Sequence, residues 1–232
     1  MFQYILFDLD GTLTDPKLGI TTCVQYALKS FGIEEENLDK LEPFIGPPLL
    51  DSFKEFYGLS HEQALSGQEK YRERFAVTGW LENEMYPGID AMLRLLSERG
   101  VKLAVASSKP EVFVEKILVH FGIREYFTAV VGSELDGRRV NKDEVVLEAL
   151  RQLGVINEAD AERYLKEKEF TGSKRTDCAM VGDRKFDVEG AKAMKLVSVA
   201  VSYGYAQGDE LTLAEPDHMA DTVEELQRIL MQ

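Results

Sequence analysis

Cysteine and histidine are scarce in this 232-residue chain, which has two cysteines and three histidines. Cys23 and Cys178 are far apart and outside any C-x-x-C spacing, so the sequence predicts neither a disulfide framework nor a cysteine metal site. His61, His120 and His218 are scattered, which argues against a zinc site or histidine catalysis. This cysteine content favours a reducing compartment, and we expect the protein to be cytoplasmic.

The chain also has few positively charged residues relative to negatively charged ones, and no long apolar run. Lysine and arginine number 27 against 41 aspartates and glutamates, which gives a net charge of −14. Because such a field repels phosphate backbones and anionic lipids, we expect neither nucleic acid nor membrane partners. No apolar run approaches the roughly 18 residues that a membrane-spanning helix needs. The apolar start of the chain lacks the basic region of a signal peptide.

Short apolar runs alternate with segments of helical period along most of the chain. With 44% hydrophobic residues, the chain can bury a core of one large domain or of a domain with an insert. The alternation predicts an α/β fold with a doubly wound parallel sheet, whose strands are covered on both faces. The strand-like runs are Phe2–Leu9, Val101–Ser107, Ala129–Gly132, Cys178–Gly182 and Val197–Val201.

The segment 16–86 has no comparable strand pattern. Helical periods extend over Ile20–Phe31, Leu49–Tyr57 and Glu62–Val77. Pro16 and Pro87 mark the flanks as linkers, because proline disfavours continuous helix. The sequence therefore predicts two domains, a sheet-containing core of residues 1–15 and 87–232 and a small, wholly helical insert of residues 16–86.

Polar side chains gather where the predicted strands end. They are Asp8, Asp10, Thr12, Ser107, Asp183 and Asp187. Ligand sites of open α/β sheets lie outside the carboxyl ends of the strands, so we expect these side chains to converge. Several convergent carboxylates repel one another unless a hard cation lies among them, and oxygen ligands select magnesium or a similar ion. The sequence therefore predicts a metal site at this edge of the sheet.

Four segments, in order along the chain, match one enzyme superfamily. Phe7–Asp15 (FDLDGTLTD) resembles the first motif of the haloacid dehalogenase (HAD) superfamily of aspartate-nucleophile phosphatases. Ala104–Pro110 and Met180–Asp187 are similar to its second and fourth motifs. Leu135–Lys142 looks like the segment of the third motif and points to Lys142 as its lysine. The resemblance covers essentially the whole chain and implies a Rossmann-like core.

The helical insert resembles the mobile cap of this superfamily. Within it, Phe44–Leu49 (FIGPPL) looks like the cap loop of phosphoglycolate phosphatases and bacterial 5′-nucleotidase-like enzymes. The segment Asn157–Thr176 departs from the family pattern because it is longer than the usual connection before the fourth motif. We interpret it as a solvated helix and loop.

The resemblance implies a Mg²⁺-dependent phosphomonoester hydrolase that acts on a small phosphorylated metabolite through an aspartyl-phosphate. Asp8 would be the nucleophile, and Asp10 the acid and then the base. Ser107 and Lys142 would hold the phosphoryl oxygens. The implied metal ligands are the carboxylates of Asp8 and Asp183, the backbone carbonyl of Asp10, and Asp187 through water. The implied substrate contacts are Thr12, Ser108, Lys109, Gly46 and Pro47.

Several residues have plainer alternatives. Ser107 could end its strand by bonding a nearby backbone group. Lys142 could be a surface lysine, in which case the cation would come from Lys109, Arg138 or Arg139. Asp187 could cap a helix, and Thr12 could buttress the turn.

Other functions of the superfamily stay open. The alternatives are a 5′-nucleotidase, a pyrophosphatase, a sugar phosphomutase and a non-catalytic binding module. Asp10 favours phosphoester hydrolysis, because dehalogenases and phosphonate-cleaving members lack it. Gly19 and Ile20 stand where mutases usually have a histidine. The sequence identifies neither the phosphate ester nor the oligomeric state.

Overall fold

The computed structural model of the protein describes residues 2–232. The strands are β1 (Tyr4–Phe7), β2 (Thr14–Asp15), β3 (Glu84–Met85), β4 (Lys102–Pro110), β5 (Phe127–Ser133), β6 (Arg175–Gly182), β7 (Leu196–Val201) and β8 (His218–Ala220). The α-helices are α1 (Lys17–Lys29), α2 (Leu49–Tyr57), α3 (His61–Arg74), α4 (Ile89–Glu98), α5 (Glu111–His120), α6 (Lys142–Gln152), α7 (Glu158–Glu167), α8 (Lys185–Ala193), α9 (Glu210–Ala214) and α10 (Val223–Leu230).

A six-stranded sheet forms the centre of the fold, with strand order β5-β4-β1-β6-β7-β8. Every neighbouring pair in it is parallel. β1 lies between β4 and β6, and Phe7 is in register with Val105 and Val181. The carboxyl ends of these three strands therefore meet at one edge, where the polar residues follow. The predicted parallel α/β fold with flanking helices is confirmed.

The inner strands of this sheet are mostly apolar because both faces are covered. Ile5, Leu6 and Phe7 of β1 are completely buried, and all six residues of β7 are buried. Burial of one such side chain stabilises the fold by about 1.5–3 kcal/mol relative to its exposure to water. Charged residues are thereby kept out of the strand centres and are accommodated where the strands end.

The chain divides into two compact units. The core unit contains the residues up to Leu13 together with Met85–Gln232, and the helical unit contains Thr14–Glu84. In the helical unit α2 and α3 pack closely at Gly67, where an added Cβ would lie 3.4 Å from the rings of Phe31 and Phe53.

Local sequence sets the ends of these two helices. α2 ends at Gly58, whose φ of 63° lies in the left-handed region that favours glycine. α3 begins at a capping box, in which Ser60 and Gln63 each accept from the other's backbone N–H.

The segment predicted to be wholly helical contains other structure as well. Leu38–Phe44 forms a 3₁₀ helix, and Phe75–Gly79 forms a π-helical turn after α3. The short strands β2 and β3 pair with each other at the flanks of the segment, where Pro16 and Pro87 led us to predict linkers without strand structure. The short strand β8 also went unpredicted, because a three-residue segment at a sheet edge carries no periodicity to detect.

The segment Asn157–Thr176 is more than a solvated helix and loop. Ala161 and Tyr164 of α7, and Phe170 after it, are buried in the hydrophobic cluster of the core unit. The hydroxyl of Tyr164 donates to Asp143 at 2.9 Å, which ties α7 to the start of α6. The predicted helix and loop are present, but the prediction that they are only solvated was wrong, because so narrow an apolar stripe is hidden among many charged residues.

No helix within residues 2–232 is both long enough and apolar enough to cross a membrane.

Candidate active site

Three aspartates converge at the carboxyl edge of the sheet. Asp8 directly follows β1, and its backbone N–H donates to Val181 of β6 at 2.9 Å. Asp183 directly follows β6, and Asp187 lies in the first turn of α8. One carboxylate oxygen from each lies within 4.8 Å of the other two, and all three residues are buried. We call Asp8, Asp183 and Asp187 the acidic triad.

Lys142, the first residue of α6, places a positive charge in the triad. Its Nζ lies 2.8 Å from Asp8 Oδ2 and 2.8 Å from Asp187 Oδ1, and it donates to the carbonyl of Ala106 at 3.1 Å. Burial alone would lower the pKa of Lys142, but Asp187 and Asp8 outweigh it and raise that pKa above its usual range. Lys142 therefore stays protonated and is no surface lysine.

One lysine does not neutralise three carboxylates. Burial, with the nearby charges of Asp187 and Asp8, raises the pKa of Asp183 well above its usual range. Burial also raises the pKa of Asp187 to about 6, against the opposing charge of Lys142. Both pKa values are raised because it costs free energy to place a second and a third carboxylate charge in one buried pocket.

Two glycines make room for the triad. Gly11 has a φ of 79°, and an added Cβ there would overlap the carboxylate of Asp183. An added Cβ at Gly182 would overlap the carboxylate of Asp187. Both positions exclude any side chain, so backbone approaches the two carboxylates directly.

Asp10 is paired with Lys109 and its carboxylate is not part of the triad. Lys109 Nζ donates to Asp10 Oδ2 at 2.6 Å, with side-chain exposures of 5% and 10%. Oδ1 of Asp10 is buried and has no hydrogen-bond partner within residues 2–232. Burial raises the pKa of Asp10, against the charge of Lys109. Lys109 thus holds one oxygen of the Asp10 carboxylate, and the other oxygen has no hydrogen-bond partner within residues 2–232.

Further predicted residues lie at the same edge. Ser107 is buried in β4, and its Oγ accepts from the backbone N–H of Lys109 at 3.3 Å. Thr12 is completely buried, and its hydroxyl donates to Asp183 Oδ1 at 3.3 Å. Ser108 is half-buried in the same strand. The arrangement gives Thr12 a supporting contact to the triad.

The two predicted substrate contacts from the cap loop belong to the other unit. Gly46 and Pro47 lie in the turn between the 3₁₀ helix Leu38–Phe44 and α2, and both are half-buried. Gly46 has a φ of 105°, a conformation that favours glycine. Their role in substrate selection stays a prediction.

Some contacts of the site were not predicted from the sequence. The backbone N–H of Tyr205 donates to Asp183 Oδ2 at 2.7 Å. Arg184 is buried, donates from Nε to Glu210 at 2.6 Å, and offers its backbone N–H to Asp187 Oδ2 at 3.0 Å. A backbone donor has no residue-type signature. The sequence signal available for Arg184 was its position inside the fourth motif.

The donor set of the triad fits a hard divalent cation. Its ligand atoms are carboxylate oxygens, which such cations prefer over nitrogen or sulfur. The pKa values of Asp183 and Asp187 are raised because negative charge is unfavourable in this pocket, and a bound cation would offset that charge. The triad could therefore hold a metal ion.

Known proteins resemble this chain along almost its whole length. Residues 5–201 match the family model described as haloacid dehalogenase-like hydrolase. A 5′-nucleotidase of Pseudomonas aeruginosa is 42% identical over 229 residues, which cover 99% of this chain and 96% of that protein. The tyrosine-protein kinase PtkA of Mycobacterium tuberculosis is 36% identical over 98% of this chain and 72% of its own length.

Two further comparisons agree on family and fold. A phosphoglycolate phosphatase of Vibrio parahaemolyticus is 29% identical over 98% of this chain and 96% of that protein. The crystal structure of a predicted phosphatase from Clostridium acetobutylicum superposes with a TM-score of 0.88 at 40% identity, covering 100% of this chain and 99% of that one. The chain therefore belongs to the haloacid dehalogenase-like hydrolases and is a phosphatase of that family.

Proposed function

We propose that the protein is a Mg²⁺-dependent phosphomonoester hydrolase in which Asp8 carries the phosphoryl group as an aspartyl-phosphate. The observation that carries the proposal is the position of Asp8. Its carboxylate is buried, contacts Lys142 at 2.8 Å, and shares a pocket with Asp183 and Asp187. A nucleophilic carboxylate needs a cation beside it, as Lys142 is, because the phosphoryl group that it attacks is itself negative.

The reaction proceeds in two displacements. A carboxylate oxygen of Asp8 attacks phosphorus, and the bond between phosphorus and the ester oxygen breaks with its electron pair on the leaving group. Asp10 gives its proton to that oxygen as the bond breaks. Asp10 then takes a proton from water, whose oxygen attacks the aspartyl-phosphate, releases phosphate and restores Asp8.

The pairing of Asp10 with Lys109 supports this double role. Lys109 holds Oδ2 at 2.6 Å, while Oδ1 is buried without a hydrogen-bond partner in the described chain. Oδ1 is therefore the atom that we assign to proton transfer.

The remaining residues bind the phosphoryl group and the metal. Lys142 offers charge to the phosphoryl oxygens, and Ser107 offers its hydroxyl. Asp8 and Asp183 would hold Mg²⁺ together with the Asp10 carbonyl, and Asp187 through water. When bound, the ion supplies positive charge that stabilises the phosphoryl oxygens in the transition state.

We propose nucleoside 5′-monophosphates as the first substrate class to test and phosphoglycolate as the second. The order follows the relatives, since the 5′-nucleotidase is 42% identical to this chain and the phosphoglycolate phosphatase 29%. We further propose that the helical unit is the cap, and that the turn at Gly46 and Pro47 selects the leaving group.

The test is phosphate release from a panel of phosphomonoesters, with and without Mg²⁺. The panel includes nucleoside 5′-monophosphates, phosphoglycolate, sugar phosphates and phosphotyrosine, and the anhydride pyrophosphate is tested beside them. Asp8→Asn should abolish turnover because an amide cannot form the acyl phosphate. Asp160→Asn removes a surface carboxylate that pairs with Arg163 in α7, and should leave turnover intact. Activity of Asp8→Asn within tenfold of wild type would contradict the proposal.

A further inference from the structure

A turn that lies outside all four motif segments contacts the acidic triad. It follows β7 and consists of Tyr203, Gly204 and Tyr205, which we call the Tyr203 turn. The backbone N–H of Tyr205 donates to Asp183 Oδ2 at 2.7 Å. This hydrogen bond joins a buried carboxyl oxygen to a donor that is fixed by the backbone, so it orients the Asp183 side chain.

Gly204 brings the backbone of this turn against Asp183. A Cβ added at Gly204 would overlap the Cβ and the carboxylate of Asp183, and also the carbonyl oxygen of Gly11. The turn is therefore wedged between two parts of the site, the carboxylate of Asp183 and the turn of the first motif. Any side chain at this position would displace one of them.

Tyr203 anchors the turn to the first motif. Its hydroxyl donates to the carbonyl oxygen of Thr12 at 3.0 Å, and its ring packs edge-on against Tyr86 with 5.0 Å between centroids. Thr12 in turn donates its own hydroxyl to Asp183 Oδ1 at 3.3 Å. Both oxygens of Asp183 are thus held, and Tyr203 connects the two residues that hold them.

We propose that the Tyr203 turn positions Asp183 for the metal and that Tyr203 is a positioning residue of the site. The inference rests on the proposed function, which assigns Asp183 as a metal ligand. Groups that orient a metal ligand typically change metal affinity by about 10–100-fold when they are removed. Loss of one hydroxyl that acts through the backbone should fall at the lower end of that range.

The test compares Mg²⁺ affinity, measured by calorimetric titration without substrate, in matched variants. Tyr203→Phe should raise the Kd for Mg²⁺ about tenfold, and Gly204→Ala by more. The Mg²⁺ concentration that half-activates turnover should rise by the same factor, while kcat at saturating Mg²⁺ changes less. A merely structural role would lower Tm without this shift in metal requirement.

Two variants control for the changes themselves. Tyr164→Phe removes another tyrosine hydroxyl of the core unit, which donates to Asp143. Gly208→Ala replaces a glycine close to the turn, where an added Cβ meets nothing within 4 Å but the φ of 56° lies in the left-handed region, so this variant shows the effect of backbone strain alone. Neither control should change Mg²⁺ affinity.

The outcomes separate this inference from the proposed function. Wild-type Mg²⁺ affinity in a folded Tyr203→Phe protein would overturn the inference alone, and that variant decides the question if Gly204→Ala fails to fold. A wild-type protein that binds no Mg²⁺ would overturn the metal site and the inference with it.

Discussion

The two units of the chain differ in what they bury. Among residues 2–232, every buried charged side chain belongs to the core unit. These side chains are Asp8, Asp10, Lys109, Lys142, Asp183, Arg184 and Asp187. The buried polar residues of the helical unit are hydroxyl-bearing only, namely Thr14, Thr21 and Ser52.

The core unit therefore carries the buried charged groups, whereas the interior of the helical unit serves packing alone. A buried charge costs several kcal/mol unless it is paired, so a fold that concentrates such charges at one sheet edge sacrifices stability there. The interior of the helical unit is built from apolar residues such as Leu28, Phe44 and Phe53. The comparison supports our proposal that phosphoryl chemistry belongs to the core unit and substrate selection to the helical unit.

After the loss of Asp8 itself, the largest effect should follow from Lys142→Met. This change removes the cation that lies 2.8 Å from both Asp8 and Asp187, so no positive charge remains there to offset the negative charge of the triad. We expect kcat to fall about 10³-fold. The free energy of unfolding without metal should fall by about 3–5 kcal/mol. Steady-state kinetics and denaturant unfolding in chelator measure both.

The matched control for this prediction is Lys70→Met in the helical unit. Lys70 pairs with Glu73 at 2.7 Å on the surface of α3, and its loss should leave kcat and stability near wild type. Equal effects of the two changes would remove the contrast between the units.

Asp10→Asn should have a smaller effect that depends on the leaving group. An amide cannot protonate an alkoxide, so hydrolysis of alkyl phosphates should fall about 10²-fold, the lower end of what general acid–base catalysis contributes. Formation of the aspartyl-phosphate should suffer much less with p-nitrophenyl phosphate, because nitrophenolate leaves without a proton. Rapid-mixing kinetics with both substrate types measure the contrast. Equal losses with good and poor leaving groups would exclude Asp10 as the acid.

The smallest effect should come from the helical unit. Replacing Pro47 and Pro48 with glycine loosens the turn before α2 and raises the entropic cost of ordering it. We expect kcat/KM to fall about tenfold for the best natural substrate and much less for p-nitrophenyl phosphate, which needs fewer contacts. Both substrates are compared in one variant, with Mg²⁺ saturating and Tm as the check on folding. A parallel loss of both activities would place substrate selection in the core unit instead.

Five of the six strands of the central sheet were predictable from sequence because the middle of each is mostly apolar. Ile5, Leu6 and Phe7 give an unbroken signal that stops at Asp8, and the stop is itself the start of the site. Parallel pairing then requires that the ends of neighbouring strands meet. The convergence of Asp8 and Asp183 thus follows from strand order and a simple pattern.

Other features of the site depend on contacts between distant parts of the chain. The sequence does not show that Lys109 reaches Asp10 or that Lys142 reaches Asp8, since either lysine could have served either carboxylate. The contact from Tyr205 to Asp183 uses a backbone N–H, which every residue except proline has. Only the folded path of the loop after β7 selects that donor.

The most direct test of the central claim is to locate the phosphate on the protein during turnover. Asp10→Asn protein is mixed with p-nitrophenyl phosphate and Mg²⁺, quenched in acid and analysed by peptide mass spectrometry. The account predicts close to one phosphate per protein molecule on Asp8 of the Asp10→Asn variant during the first turnover. A double variant that carries both Asp8→Asn and Asp10→Asn should have no phosphate at residue 8. Nitrophenol release without phosphate on Asp8, or with phosphate on another residue, would contradict it.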